Sequence, residues 1–105
     1  MTHQIDVICI LNSGVFVIEV KNVCGYKIKC ENDLMYWTYD WIKNKELIHC
    51  KLYNPIWQNR THVQQIRKLL PSEVPIYSMI TFSNNNTLVH SKDLDAMVVN
   101  MTNIR

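Results

Sequence analysis

The sequence predicts an α/β fold, a mixed sheet of four or five strands with one helix across a face. Short apolar stretches typical of strands recur along the chain of 105 residues. Residues 55–70 instead show helical spacing of apolar side chains, with a capping signal at their start. The apolar residues 75–82 follow after a short connection, as in strands that are covered on both faces. We therefore expect one small domain over residues 1–105.

The first predicted elements form a β-hairpin over residues 4–21. Two apolar runs flank an Asn12-Ser13-Gly14 turn, and asparagine and glycine favour tight turns. Successive side chains of a strand point to opposite faces, so Gln4 and Asp6 share one face of the first strand. Glu19 and Lys21 share one face of the second strand for the same reason. The hairpin is therefore expected to bring two carboxylates and an amine together.

These three charged groups have the chemistry of a divalent metal site. Mg²⁺ takes oxygen ligands, usually one or two carboxylates, and Asp6 and Glu19 would supply them. Lys21 would hold or help deprotonate a metal-bound water and offset the charge that builds on a phosphorane-like transition state. The alternative is that these residues are solvated strand ends, because a Glu-x-Lys pattern often occurs by chance. The nearly unbroken apolar strand at residues 15–20, and an aspartate in the neighbouring strand, favour the site.

The middle of the chain predicts three more strands. They are residues 26–30, residues 35–41 and Glu46–Tyr53, the last two joined by a polar turn at Lys43-Asn44-Lys45. Alternation places Trp37, Tyr39 and Trp41 on one face of the second of these strands. Such aromatic side chains usually belong to the core, although they can also stack on splayed nucleic-acid bases. Two short strands are expected later in the chain, at residues 87–90 and 96–100.

The predicted helix begins with Asn54 as its N-cap and Pro55 at its first position, and Pro71 ends it. The apolar residues expected to form its buried stripe are Ile56, Val63, Ile66 and Leu70. Its polar, basic face comprises Arg60, Gln64, Arg67 and Lys68. This face is either a solvated surface or a ridge that follows phosphates. Gln58 lies on the flank of the helix with His62 and Gln65.

Composition limits the class of protein. The formal net charge is +2, so no strongly basic tail indicates nucleic-acid binding. No apolar run approaches membrane-spanning length and no secretory signal opens the chain, so we expect a cytoplasmic protein. The cysteines lack Cys-x-x-Cys spacing, which argues against a disulfide framework. A zinc site built from Cys24, Cys30, His49 and Cys50 stays open as a lesser alternative.

Several motifs of the chain resemble those of a known nuclease family. They are Gln4-Ile5-Asp6, Gly14, residues 15–22 (VFVIEVKN), Asn54-Pro55-Ile56-Trp57-Gln58 and the Phe82-Ser83 strand end. Together they are similar to the nuclease-related domain, NERD, of the PD-(D/E)XK nuclease superfamily, over most of the chain. Members usually have a helix and another strand before the first motif. The resemblance therefore implies a truncated restriction-endonuclease-like core, a fragment of a longer domain or protein, whose exposed sheet edge could pair with a second copy.

The resemblance also implies a function and individual roles. The implied function is metal-dependent hydrolysis of phosphodiester bonds in nucleic acid, with DNA as the expected substrate. The expected ligands of Mg²⁺ or Mn²⁺ are Asp6, Glu19 and the Val20 carbonyl; Lys21 and Gln58 complete the catalytic set, with Gln4 and Asn54 as supporting residues. The alternative is a non-catalytic nucleic-acid-binding or assembly module that retains the nuclease fold.

Overall fold

The computed structural model describes residues 6–23, 25–83 and 88–101. In chain order its elements are β1 (Val7–Leu11), β2 (Gly14–Lys21), β3 (Ile28–Cys30), β4 (Tyr36–Lys43), β5 (Glu46–Tyr53), α1 (Pro55–Leu69), β6 (Ile76–Phe82), β7 (Leu88–His90) and β8 (Met97–Asn100). A four-stranded sheet has the order β1-β2-β6-β8. β1 is antiparallel to β2, whereas β6 is parallel to both β2 and β8. The predicted α/β class and mixed sheet are therefore confirmed.

The other strands pair outside this sheet. β3 and β7 form a parallel pair, and β4 and β5 form an antiparallel hairpin. α1 packs on β2 and β6, which places it across one face of the main sheet. β1 lies at the sheet edge, where its side chains are mostly exposed, and among the described residues it pairs with β2 alone. The described part of the chain contains no helix long and apolar enough to cross a membrane.

Gly14 lets the first hairpin lie close to the start of β6. Its φ angle is +148°, in the region that favours glycine. A Cβ atom at this position would lie 2.7 Å from the Pro75 carbonyl oxygen. Val15 N–H donates a hydrogen bond of 2.9 Å to the same oxygen. The glycine of the predicted turn is therefore required by this contact between β2 and the segment that leads into β6.

The β4–β5 hairpin matches the predicted strands closely. β5 has the predicted bounds, and β4 runs two residues beyond Trp41. Asn44 and Lys45 both have positive φ angles, 52° and 65°, as in a two-residue type I′ turn. Trp37 is fully buried and Tyr39 packs against the same core, so the core interpretation is confirmed for these two rings. Trp41, farther along, is 38% exposed.

The main core lies between α1, the sheet and β3. Its buried members are Ile28, Cys30, Trp37, Ile56, Ile80, Phe82 and Val98. Burial, with the Glu31 carboxylate nearby, raises the pKa of the Cys30 thiol to about 12, so this cysteine is a small apolar residue. The prediction that β6 is covered on both faces holds only for its last three residues. Its first half is partly exposed, because α1 covers one face of the sheet.

The buried stripe of α1 differs from the prediction. Ile56 is buried, but Val63, Ile66 and Leu70 are only half-buried. Asn59 and His62 take their place against the sheet, with exposures of 0% and 3%. The prediction counted only apolar side chains, whereas two polar side chains occupy the inner face of this helix.

Asn54 connects the start of α1 to the segment that precedes β4. Its Oδ1 accepts hydrogen bonds from the N–H groups of Ile56 and Trp57, which confirms the predicted N-cap. Its Nδ2 lies 2.8–3.1 Å from the carbonyl oxygens of Glu31, Asn32 and Leu34. The side chain is fully buried. A single side-chain amide therefore accepts hydrogen bonds from two N–H groups of the helix and donates to carbonyl groups of the preceding backbone segment.

We predict that Asn54→Ala destabilises the protein. The change removes the cap and leaves buried carbonyl groups without a donor, which together cost about 3 kcal/mol in the free energy of unfolding. Urea unfolding followed by circular dichroism measures this loss. Gln64→Ala, an exposed position on the same helix, is the matched control and should change stability by less than about 0.5 kcal/mol. Equal stability of Asn54→Ala and the control would contradict the interpretation.

Candidate active site

The candidate site lies at the end of β2, where the β1–β2 hairpin and α1 meet. Val7 pairs with Ile18, so Asp6 lies beside Glu19 on the neighbouring strand. Asp6 Oδ2 accepts a hydrogen bond of 2.9 Å from the Val20 N–H, which fixes its carboxylate next to β2. The two carboxyl groups interact closely enough to shift each other's pKa, that of Glu19 upward and that of Asp6 downward. The register of β1 on β2 and the hydrogen bond from the Val20 N–H thus bring the two predicted carboxylates together.

Glu19 is a buried carboxyl group with an altered protonation equilibrium. Its residue exposure is 4%. Burial and then the hydrogen bond with Asp6 raise the pKa of Glu19 to about 7, against the opposing effect of the Lys21 ammonium. The pKa of Asp6 shifts the other way: partial burial raises it, but the hydrogen bonds from Glu19 and from Val20 lower it below its ordinary value. The pair therefore carries one negative charge until pH approaches 7.

Lys21 is held by two partners at this site. Its Nζ donates a hydrogen bond of 2.7 Å to Gln58 Oε1, which projects from the first turns of α1. The same Nζ lies 3.8 Å from Glu19 Oε2. The structure therefore brings the predicted residues Asp6, Glu19, Lys21 and Gln58 to one place, with the lysine oriented by the amide.

The inner face of α1 adds two residues that sequence analysis did not place at the site. His62 Nδ1 lies 3.7 Å from Glu19 Oε1 and 3.3 Å from Asn59 Oδ1. Asn59 Nδ2 donates hydrogen bonds of 2.8 Å to the Val17 carbonyl and to Ser78 Oγ. Asn59 thus ties the helix to β2 and β6 and places His62 against the buried carboxyl group.

The sequence contains a pattern that indicates Asn59 and His62 as inward-facing polar residues. Asn59 lies three positions after Ile56 and four before Val63, at the centre of the predicted apolar stripe. His62 lies four positions after Gln58 and four before Ile66, so it shares the side of α1 that includes the predicted glutamine. A polar residue in the middle of a buried stripe needs a partner inside the protein, which here is the sheet.

The other residues that the sequence predicted for the site are Gln4, Asn54 and Val20, and each of them has a separate position. Gln4 lies outside the described residues. Asn54 caps α1 and bonds to the segment before β4, so it supports the site through the position of Gln58. Val20 lies between the two charged residues of β2 and contributes its N–H to Asp6. Of the four residues in the zinc alternative, Cys24 lies outside the described residues; among the described residues no group of three or more His, Cys, Asp or Glu could hold a metal.

The donor set fits a hard divalent cation. Glu19 Oε1 is buried and lacks a hydrogen-bond partner among the described residues. Asp6 and Glu19 would hold a cation, whose charge would compensate the buried carboxylate. Mg²⁺ binds through one or two carboxylates and keeps water at its other positions, so two carboxylates suffice for it.

We predict that Glu19→Gln changes how stability depends on pH when metal is chelated. Because the folded-state pKa of Glu19 is raised from 4.5 to about 7, the parent loses stability as pH rises through this interval. The loss is on the order of 3 kcal/mol for this shift, and Glu19→Gln removes it because an amide does not titrate. Thermal unfolding in EDTA should show Glu19→Gln more stable than the parent at pH 8 and similar to it at pH 5. The control Glu73→Gln, at an exposed carboxylate, should show the same dependence of stability on pH as the parent. If Glu19→Gln also shows the dependence of the parent, the interpretation is wrong.

Comparisons with known proteins identify the family. The sequence model of the nuclease-related domain matches residues 1–83. An uncharacterized protein of Bacillus anthracis is 34% identical over 103 residues, which cover 94% of this chain and 46% of the relative. The chain therefore spans about half the length of that relative. No solved structure matches the chain. With most of its length matched by the family model, the chain belongs to the nuclease-related domain family.

Proposed function

We propose that this domain is a metal-dependent nuclease that hydrolyses phosphodiester bonds of nucleic acid, with DNA as its substrate. The observation that supports this most is the buried carboxyl group of Glu19, with Asp6 beside it on the neighbouring strand and Lys21 near it on the same strand. A carboxyl group with a pKa of about 7 next to an ionised one is costly to keep in a purely structural role. Family membership supports the same class of activity.

Asp6 and Glu19 would hold Mg²⁺ or Mn²⁺, with the Val20 carbonyl as a further ligand. When bound, the cation supplies Lewis-acid stabilisation of the phosphate and lowers the pKa of a water molecule toward neutrality. The Val20 N–H keeps the Asp6 carboxylate turned toward Glu19. His62 and Asn59 restrict Glu19 from the helix side, as partners behind a ligand commonly do.

Lys21 would position the attacking water and offset negative charge on the phosphate in the transition state. Its ammonium is directed by Gln58 and Glu19, so little reorganisation is needed when substrate binds. Gln58 acts through this lysine: its amide oxygen accepts the ammonium hydrogen bond and leaves the other ammonium protons for water or phosphate.

We predict cleavage of DNA that requires both Mn²⁺ and Lys21. Purified protein is incubated with single- and double-stranded DNA in Mn²⁺ or EDTA, and product formation is followed on gels. Lys21→Ala should lower the rate by about a hundredfold or more, because it removes charge stabilisation present in the transition state. Lys92→Ala, at an exposed lysine, should cleave like the parent. Absence of cleavage by a parent protein that binds Mn²⁺ would favour the non-catalytic binding module instead.

We predict that Asp6→Ala abolishes measurable Mn²⁺ binding, whereas Lys21→Ala retains it. A single remaining carboxylate is a weak site for a hard cation, while loss of the ammonium removes a repulsive charge. Isothermal titration calorimetry with Mn²⁺ measures both variants. Asp33→Asn removes an exposed carboxylate elsewhere and serves as the control. Unchanged Mn²⁺ affinity in Asp6→Ala would rule out the assigned ligand.

A further inference from the structure

We propose that one face of the β4–β5 hairpin, continued by Trp57, binds a single strand of nucleic acid and leads it to the candidate active site. We call this surface the hairpin track and define it by Tyr36, Lys51, Tyr53 and Trp57, with the cavity beside Lys51 at its far end. The proposal deepens the proposed function and rests on it for the choice of nucleic acid as ligand.

The hairpin track occupies the exposed face of the hairpin. Register places Tyr36 opposite Tyr53 and Thr38 opposite Lys51, so these four side chains share one face. The tyrosines are 43% and 47% exposed, whereas Trp37 on the other face is fully buried. The face that sequence analysis considered for base stacking is therefore the core face near its start, and the opposite face presents rings to solvent.

Aromatic contacts connect this face to the start of α1. The Tyr53 ring packs edge-on against Tyr36 at 6.3 Å and against Trp57 at 6.2 Å between centroids. Trp57 Nε1 donates a hydrogen bond to the Asn32 carbonyl, which fixes the indole in place. The next residue is Gln58, whose amide accepts the hydrogen bond from Lys21. The row of rings therefore ends on the first turn of α1, the same part of the helix that carries Gln58.

The far end of the hairpin track is cationic. A cavity of about 530 Å³ is lined there by Lys27, Lys29 and Lys51. Lys51 Nζ also lies 4.6 Å from the centroid of the Tyr36 ring, so the positive charge begins where the rings end. Asp40 lines the same cavity, but its carboxylate is paired with His49 Nδ1 at 2.7 Å. The positive charges exceed the negative ones along this surface.

Exposed rings and lysines in a row match the chemistry of an unpaired strand. Bases stack on aromatic side chains whatever their sequence, and lysines follow the phosphates between them. The bases of a duplex are already stacked on each other and cannot reach such rings without unpairing. The surface charge and the exposed rings thus favour a single strand over a duplex as the occupant.

The experiment measures binding without catalysis. A fluorescein-labelled oligothymidylate is titrated with protein in EDTA, and fluorescence anisotropy gives the affinity at several salt concentrations. Tyr36→Ala should weaken binding by about tenfold through the loss of one stacking surface. Lys51→Gln should weaken it and lower the slope of log K against log salt by about 0.7, the value for one phosphate contact on a single strand. A duplex of the same length should bind more weakly to the parent.

Matched variants separate the hairpin track from other surfaces. Tyr77→Ala removes a tyrosine of similar exposure, 41%, from the main sheet, and Lys68→Gln removes a lysine from the basic face of α1. Both should bind like the parent. Tyr36→Phe keeps the ring and should also retain affinity, and the circular dichroism spectrum of Tyr36→Ala should match that of the parent, which excludes misfolding as the cause of its loss.

Several outcomes would overturn the inference. The first is unchanged oligonucleotide affinity in both Tyr36→Ala and Lys51→Gln, and the second is a larger loss of affinity in Lys68→Gln. The third is binding to phosphatidylcholine–phosphatidylserine vesicles that depends on Lys51 while oligonucleotide binding does not.

The proposed function fails separately. Oligonucleotide binding that needs Tyr36, without cleavage in Mn²⁺, would remove the nuclease activity and leave the hairpin track. Cleavage by Tyr36→Ala with the same KM as the parent would retain the nuclease activity and rule out the hairpin track.

Discussion

The buried amide of Asn54 is the interaction on which the position of α1 depends. One side chain caps the helix and bonds to three carbonyl groups of the segment before β4, so the helix start and that segment move as a unit. Gln58, Asn59 and His62 all follow within the next turns of this helix. Asn54 therefore fixes the start of the helix that carries these residues, and the bonds of Asn59 and Gln58 to β2 complete their placement. The same amide also fixes the base of the β4–β5 hairpin relative to the helix.

The site combines groups that a purely structural core would avoid. Glu19 is buried next to another carboxyl group, and its neighbours from the helix are polar. Asn59 offsets part of the cost of these buried polar groups, because its amide bonds to the Val17 carbonyl and to Ser78 Oγ and so holds the helix against the sheet. A buried carboxyl group that is supported by such polar partners is typical of functional sites. The domain keeps an apolar core between α1, the sheet and β3, around Trp37 and Phe82.

Local patterns in the sequence were sufficient for much of this structure. The cap at Asn54, the bounds of β5 and the convergence of Asp6, Glu19 and Lys21 all follow from spacing and alternation. The roles of Asn59 and His62 did not follow, because apolar periodicity alone says nothing about a polar residue that finds its partner on a distant strand. The core face of β4, with Trp37 and Tyr39, was predicted correctly, but its opposite, exposed face was assigned no role.

The position of Asp6 beside an edge strand has a dynamic consequence. In the described part of the chain β1 pairs with β2 alone and its side chains are mostly exposed, so little packing opposes its local opening. Each opening would carry Asp6 away from Glu19, and the two-carboxylate site would exist only while β1 is paired. Any ligand that bridges the two carboxyl groups would then close this edge, and the fluctuation of one short strand would set the fraction of molecules ready to bind it.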